Sequence, residues 1–98
     1  MAFEKEPISY EKTIISDLQG SWENLRDSVI EHFGFPNSDR LLFHINEAMS
    51  WESVRDLKRM KAVFLLVQNI AAQTDSPAEV LEWIDHVRDD LETSLEVT

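Results

Sequence analysis

SPAEVLEWIDHVRDDLETSLEVT, residues 76–98, is the stretch whose reading decides the fold. Ser76 puts a hydroxyl where a helix N-cap belongs, Pro77 suits the first helical position, and Glu79 stands at N3 of a capping box. Val80, Ile84, Val87, Leu91 and Leu95 follow at 3–4 spacing, the core stripe of an amphipathic helix. Glu82, Asp85, Asp89, Glu92 and Glu96 step 3-4-3-4 along the same segment. At 100° per residue these acids fall in a sector about 80° wide, centred about 150° from the aliphatic stripe. The segment therefore reads as a helix with one side for a core and the other for water.

Working outward, the same spacing recurs. Ser50 reads as the cap of a preceding helix, Trp51 to about Gln73. Val54, Leu57, Met60 and Phe64 line its inner side, and Arg55, Lys58 and Arg59 its outer side. The second half of this helix, from Ala62 to Val67 and on to Ala72, is apolar all round, the mark of a central helix in a bundle. A short helix, Asp39 to Met49, is expected before it, capped by Ser38, with Leu41, Leu42, Ile45 and Met49 inward. The first helix should start near Ser9 and carry Ile15, Leu18, Trp22, Leu25 and Val29, stopping at Phe33-Gly34 before Pro36. Gly20-Ser21 interrupts this stripe without resetting its phase, which favours one bent helix over two. The expected fold is all-α: a small four-helix bundle, or five if Gly20 breaks the first, with short loops and the third helix central. Residues 1–8 read as a flexible N-terminus and 9–96 as a single helical domain.

Composition excludes several classes. The chain has 98 residues, no cysteine, two glycines and a formal charge of −10. No disulfide or thiolate metal site is available, which suits a cytoplasmic protein. The start resembles no secretory signal, and the longest apolar run falls far short of the roughly twenty residues a membrane span needs. Two distant glycines form no phosphate-cradling loop, and there is no Gly-x-Ser-x-Gly elbow. His32 reads as a cation at the end of the first helix, His44 as a boundary residue, and His86 as a solvated neighbour of Glu82 and Asp89. Neither an enzyme, a cofactor nor a metal site is expected.

Charge placement carries the functional reading. Residues 75–98 hold eight acids and one base, Arg88, giving −7; residues 51–74 sum to +2, with Arg55, Lys58, Arg59 and Lys61 clustered. Seven acids between Glu79 and Glu96 span about 26 Å of helix, one per roughly 3.6 Å, close to the charge spacing of a single DNA strand. Glu92 and Glu96 also oppose the helix dipole, so helix stability does not explain them. The leading expectation is a small acidic, non-catalytic regulatory protein. It inhibits or regulates a partner with a basic surface, such as a nucleic-acid-binding protein, through Glu82, Asp85, Asp89, Glu92, Glu96 and neighbouring Trp83. It would act as a nucleic-acid mimic of sorts; in build, though not in any motif, the chain resembles the small acidic adaptor and inhibitor proteins of phages and plasmids. Against this stands a face that is merely solvated, partly neutralised if the last two helices form a hairpin placing Lys58 level with Glu92.

Two alternatives use other residues. A self-associating adaptor or homodimer would be held by Trp22, Trp51 or Trp83 and surplus apolar surface, with Arg55, Lys58 and Arg59 meeting acids of a second copy. A helix-turn-helix nucleic-acid binder would use Ser50 as the junction before a basic recognition helix, but net charge −10 repels phosphate. Finally, Ser21-Trp22-Glu23-Asn24-Leu25-Arg26-Asp27 recurs as Ser50-Trp51-Glu52-Ser53-Val54-Arg55-Asp56, and more loosely from Trp83 to Asp89. The echo reads as a shared helix-start recipe; the sharper alternative is three Trp sites lining one partner groove.

Overall fold

A computed structural model describes the backbone from Lys5 to Val97 and side chains from Ile14 to Val97. It contains four helices: α1 (Lys5–Glu31), α2 (Ser38–Ser53), α3 (Leu57–Gln73) and α4 (Ala78–Val97). The chain is all-α. α1 packs most extensively on α4 and also on α2, α2 packs on α3, and α3 on α4. No described helix is long and apolar enough to cross a membrane.

α1 begins at Lys5, four residues before the expected start, and takes Pro7 into its first turn, where the missing N–H has no helical partner to lose. Residues 1–4 of the leading segment lie outside the described residues. The helix passes through Gly20-Ser21 without a break. Its phase holds because Leu18, Trp22, Leu25 and Val29 are all fully buried, and that continuous stripe outweighs one glycine's propensity cost of roughly 1 kcal/mol. Gly34, at φ 117°, ends the first turn of the loop, and its N–H donates to the Ser38 hydroxyl at 3.1 Å. Asn37, rather than Ser38, is the N-cap of α2, in a left-handed conformation that Asn tolerates better than most residues.

The joint between α2 and α3 corrects the sequence reading. α2 continues past Met49 through Ser50 and Trp51 to Ser53, so Ser50 caps nothing: its hydroxyl donates back to the Glu47 carbonyl at 2.6 Å. Ser53 does the same to Ser50, at 2.7 Å. The helix ends in a Schellman motif. Asp56 N–H reaches the Trp51 carbonyl and Arg55 N–H the Glu52 carbonyl, both at 3.0 Å, with Arg55 at φ 58° in the position glycine usually holds. Asp56 then caps α3 by accepting the Arg59 N–H at 3.1 Å. A single three-residue elbow thus closes one helix and opens the next. The helix-turn-helix junction expected at Ser50 is not there, and Arg55 lies in the turn instead of on a helix face.

The helix-start reading of the Ser-Trp-Glu echo also fails, since neither copy starts a helix: the first lies within α1, and the second closes α2 at Ser50–Ser53 and runs on into the elbow. Nor is α3 enclosed. It packs on α2 and α4 and meets Trp22 of α1 through Met60 and Phe64, while Leu65 and Leu66 on its outer side are 47% and 48% exposed.

One buried cluster draws on all four helices, with Trp22 at its middle. Phe64 meets the Trp22 ring edge-to-face at 6.0 Å, and the indole N–H donates to the Met60 sulfur at 3.3 Å. Val80, Ile84, Val87 and Leu91 complete the core from α4, so the closing segment hides its aliphatics as its pattern implied.

Candidate functional site: the outer face of the last helix

The α4 helix turns five carboxylates outward. Glu82, Asp85, Asp89, Glu92 and Glu96 are all exposed, while Val80, Ile84, Val87 and Leu91 on the other side are buried and Leu95 is partly so. Arg88 is the cation among them. Its guanidinium lies 3.4 Å from Asp85 and 3.4 Å from Asp89, the first at i,i+3 and the second adjacent. Each such exposed pair contributes about 0–1 kcal/mol, so the face stays strongly anionic. Glu82, Glu92 and Glu96 form no ion pair among the described residues. Trp83 is half-buried against the core, about 140° around α4 from the centre of the acidic face, its ring 4.9 Å from that of the exposed His86.

α3 and α4 are neighbours as a hairpin requires, but Lys61 rather than Lys58 lies beside Glu92. Lys61 and Arg88 share a small hollow with Glu92, and Arg55, Lys58 and Leu57 share a cleft of about 500 Å³ with Leu95 and Ile15. The basic cluster therefore lies beside the acidic end of α4 without neutralising it. Arg55 pairs with Glu52 at 3.9 Å and Arg59 with Asp56 at 3.4 Å, both on their own side of the elbow. Arg59 also lies over the Trp51 ring, 4.9 Å from its centroid. Among the described residues no α3 base reaches an α4 acid within salt-bridge distance.

The three tryptophans do not form one surface. Trp22 is fully buried and cannot contact a partner, which removes it from the self-association set. Trp51 is half-buried under Arg59, and Trp83 is on α4. Single-sequence spacing reads a Trp as core or hot spot equally well; only the packing of Phe64 and Met60 around Trp22 decides.

Sequence reading missed a polar seam between α1 and α4. Ser21 donates its hydroxyl to Asp90, and Ser28 donates to Glu79 at 2.9 Å. His32 Nε2 lies 3.0 Å from the same Glu79 oxygen. The Ser28 hydroxyl, and after it the hydrogen bond and charge of His32, hold the Glu79 carboxyl below its usual range. Glu79 thus faces α1, where a capping box would have turned it back to Ser76; the Ser76 hydroxyl donates to the Ala71 carbonyl at 3.3 Å. A faint signal did exist. Ser21 and Ser28 are two turns apart on α1, and Glu79 and Asp90 three turns apart on α4, so each pair shares a helix face.

Compared with known protein families, with curated proteins and with solved structures, the chain finds no match. Functional inference rests on the chemistry of these surfaces.

Proposed function

We propose that the protein is a small non-catalytic binding protein that inhibits or regulates a partner by laying the outer face of α4 against a basic surface. The nucleic-acid site of a partner protein is the surface whose charge it suits best. The observation that carries this reading is the simultaneous exposure of Glu82, Asp85, Asp89, Glu92 and Glu96 on one helix with a single cation, Arg88, among them. Complementary potential speeds encounter and selects partners more than it adds raw affinity, so such a complex should be salt-sensitive. Trp83, half-buried on another side of α4, would have to be reached around the helix to serve as an aromatic anchor of the kind enriched at interface hot spots.

The test is affinity capture from a lysate of the source organism, at low and high salt, with wild-type protein and a Glu82→Lys, Asp85→Lys, Asp89→Lys variant as baits. A partner retained by wild type, released by salt and lost by the variant at unchanged helicity supports the reading. Equal capture by both baits ends it.

A second reading, self-association, is favoured by exposed apolar side chains near the basic elbow, chiefly Val54 at 63%. Light scattering behind a sizing column separates the two: a monomer removes self-association, and a dimer that survives high salt favours it. Direct nucleic-acid binding by the elbow is the weaker case, because Arg55 and Arg59 already pair with Glu52 and Asp56.

A further inference from the structure

The seam where α1 ends against the start of α4 gathers three metal-ligating groups outside the acidic face. Glu31, the last residue of α1, and His32, the first beyond it, meet Glu79 from the first turn of α4. One ligand atom from each lies within 4.8 Å of the others. His32 Nε2 stands 3.0 Å from Glu79 Oε1 and 3.8 Å from Glu31 Oε1.

We infer that Glu31, His32 and Glu79 form a binding site for a zinc-class divalent cation. Two donors bound to zinc at about 2.0–2.1 Å with a tetrahedral angle stand roughly 3.4 Å apart, and the observed separations bracket that value. Consecutive residues inside a helix point about 100° apart and do not share a ligand. Here, at the end of α1, where His32 N–H still makes a helical bond to the Ser28 carbonyl at 3.1 Å, the ligand atoms of Glu31 and His32 nonetheless converge on a third from another helix. An imidazole with two carboxylates suits zinc and its neighbours in preference to magnesium or calcium, which take oxygen ligands and hold their waters. All three side chains are exposed, which leaves room for water or an outside ligand at a fourth position. The Ser28 hydroxyl, 2.9 Å from Glu79 Oε1, orients that carboxylate from behind, as partners of metal-bound carboxylates commonly do. Sequence spacing pointed elsewhere because Glu79 stands 47 residues beyond His32.

This site is independent of the binding face proposed above, and a cation there would join the end of α1 to the start of α4. Calorimetric titration of the full chain with Zn²⁺, and in parallel with Mg²⁺, tests it. One Zn²⁺ per chain is expected, with no saturable Mg²⁺ uptake. His32→Ala and Glu79→Gln should each weaken Zn²⁺ binding at least about tenfold, since even outer partners of metal ligands are worth 10–100-fold. His86→Ala, which alters the imidazole on α4, should bind as wild type does. Both test positions are exposed, and far-UV circular dichroism checks that each variant keeps its helices. Absence of one-to-one uptake, or undiminished uptake by folded His32→Ala, overturns the inference.

Discussion

Trp22 donates its indole N–H to the sulfur of Met60, 38 residues on, inside a core from which water is excluded. Thioether sulfur is a weak acceptor, but it is the partner this buried donor has. Met60→Leu preserves volume and removes the acceptor, so it should cost about 1–3 kcal/mol. In a Trp22→Phe background, where the donor is gone, the same substitution should cost much less. Urea unfolding of the four proteins measures the coupling, and additive costs would show that the contact contributes nothing.

Gly20 sits mid-helix in α1, where a Cβ would meet no atom within 4 Å. Gly20→Ala should therefore raise stability by about 0.5–1 kcal/mol by reducing the freedom of the unfolded chain. A lower unfolding midpoint would mean that α1 needs the glycine for a reason its packing does not show.

At the elbow, Arg55 holds a left-handed conformation that costs a non-glycine residue roughly 1–2 kcal/mol. Arg55→Gly should relieve most of this and stabilise the protein by about 0.5–1 kcal/mol after glycine's own entropy cost. Asp56→Ala should act oppositely, losing the cap on Arg59 N–H at about 0.5–2 kcal/mol. Thermal unfolding of both variants tests the sign as well as the size.

Glu79 supplies a pH dependence. Its carboxyl is held below the ordinary value of 4.5, so its contribution is complete above that value and is lost as pH falls through the lowered one. In metal-free protein, wild type should exceed Glu79→Gln in stability near neutral pH, and the gap should close below about pH 4.5. A gap that does not change with pH would assign the difference to packing.

Glu92 and Glu96 lie near the C-terminal end of α4, which has no basic residue in its last turn. Replacing either by Gln should stabilise the helix by about 0.3–1 kcal/mol and at the same time weaken partner capture. Gains in both stability and capture would contradict the proposed role of the face.

The legible and illegible parts of this fold divide along physical lines. The α4 helix could be read because Val80 to Leu95 and Glu82 to Glu96 keep separate phases over about four turns. The α1 helix could be read because its stripe crossed Gly20 in register. The α2–α3 joint could not. Ser50 before Trp51 looks like a cap, and nothing marks Arg55 as the residue that goes left-handed where glycine is usual. The outward carboxylates were visible from periodicity alone, since a helix face needs no knowledge of its neighbours. The Glu31–His32–Glu79 group was invisible, because it exists only once α1 and α4 lie side by side.

That side-by-side arrangement of the first and last helices shapes how the chain comes to be folded. Leu18, Trp22, Leu25 and Val29 emerge early in synthesis, yet much of the surface that covers them belongs to a helix made more than fifty residues later. The α2–α3 pair, joined by three residues, has only local loop closure to overcome and can form first. Until α4 arrives, the growing polypeptide carries an oily ridge only partly covered by α2 and α3, the kind of species that chaperones hold. Premature termination ahead of Ala78 would leave that ridge permanently open, and aggregation is the expected fate of such a fragment.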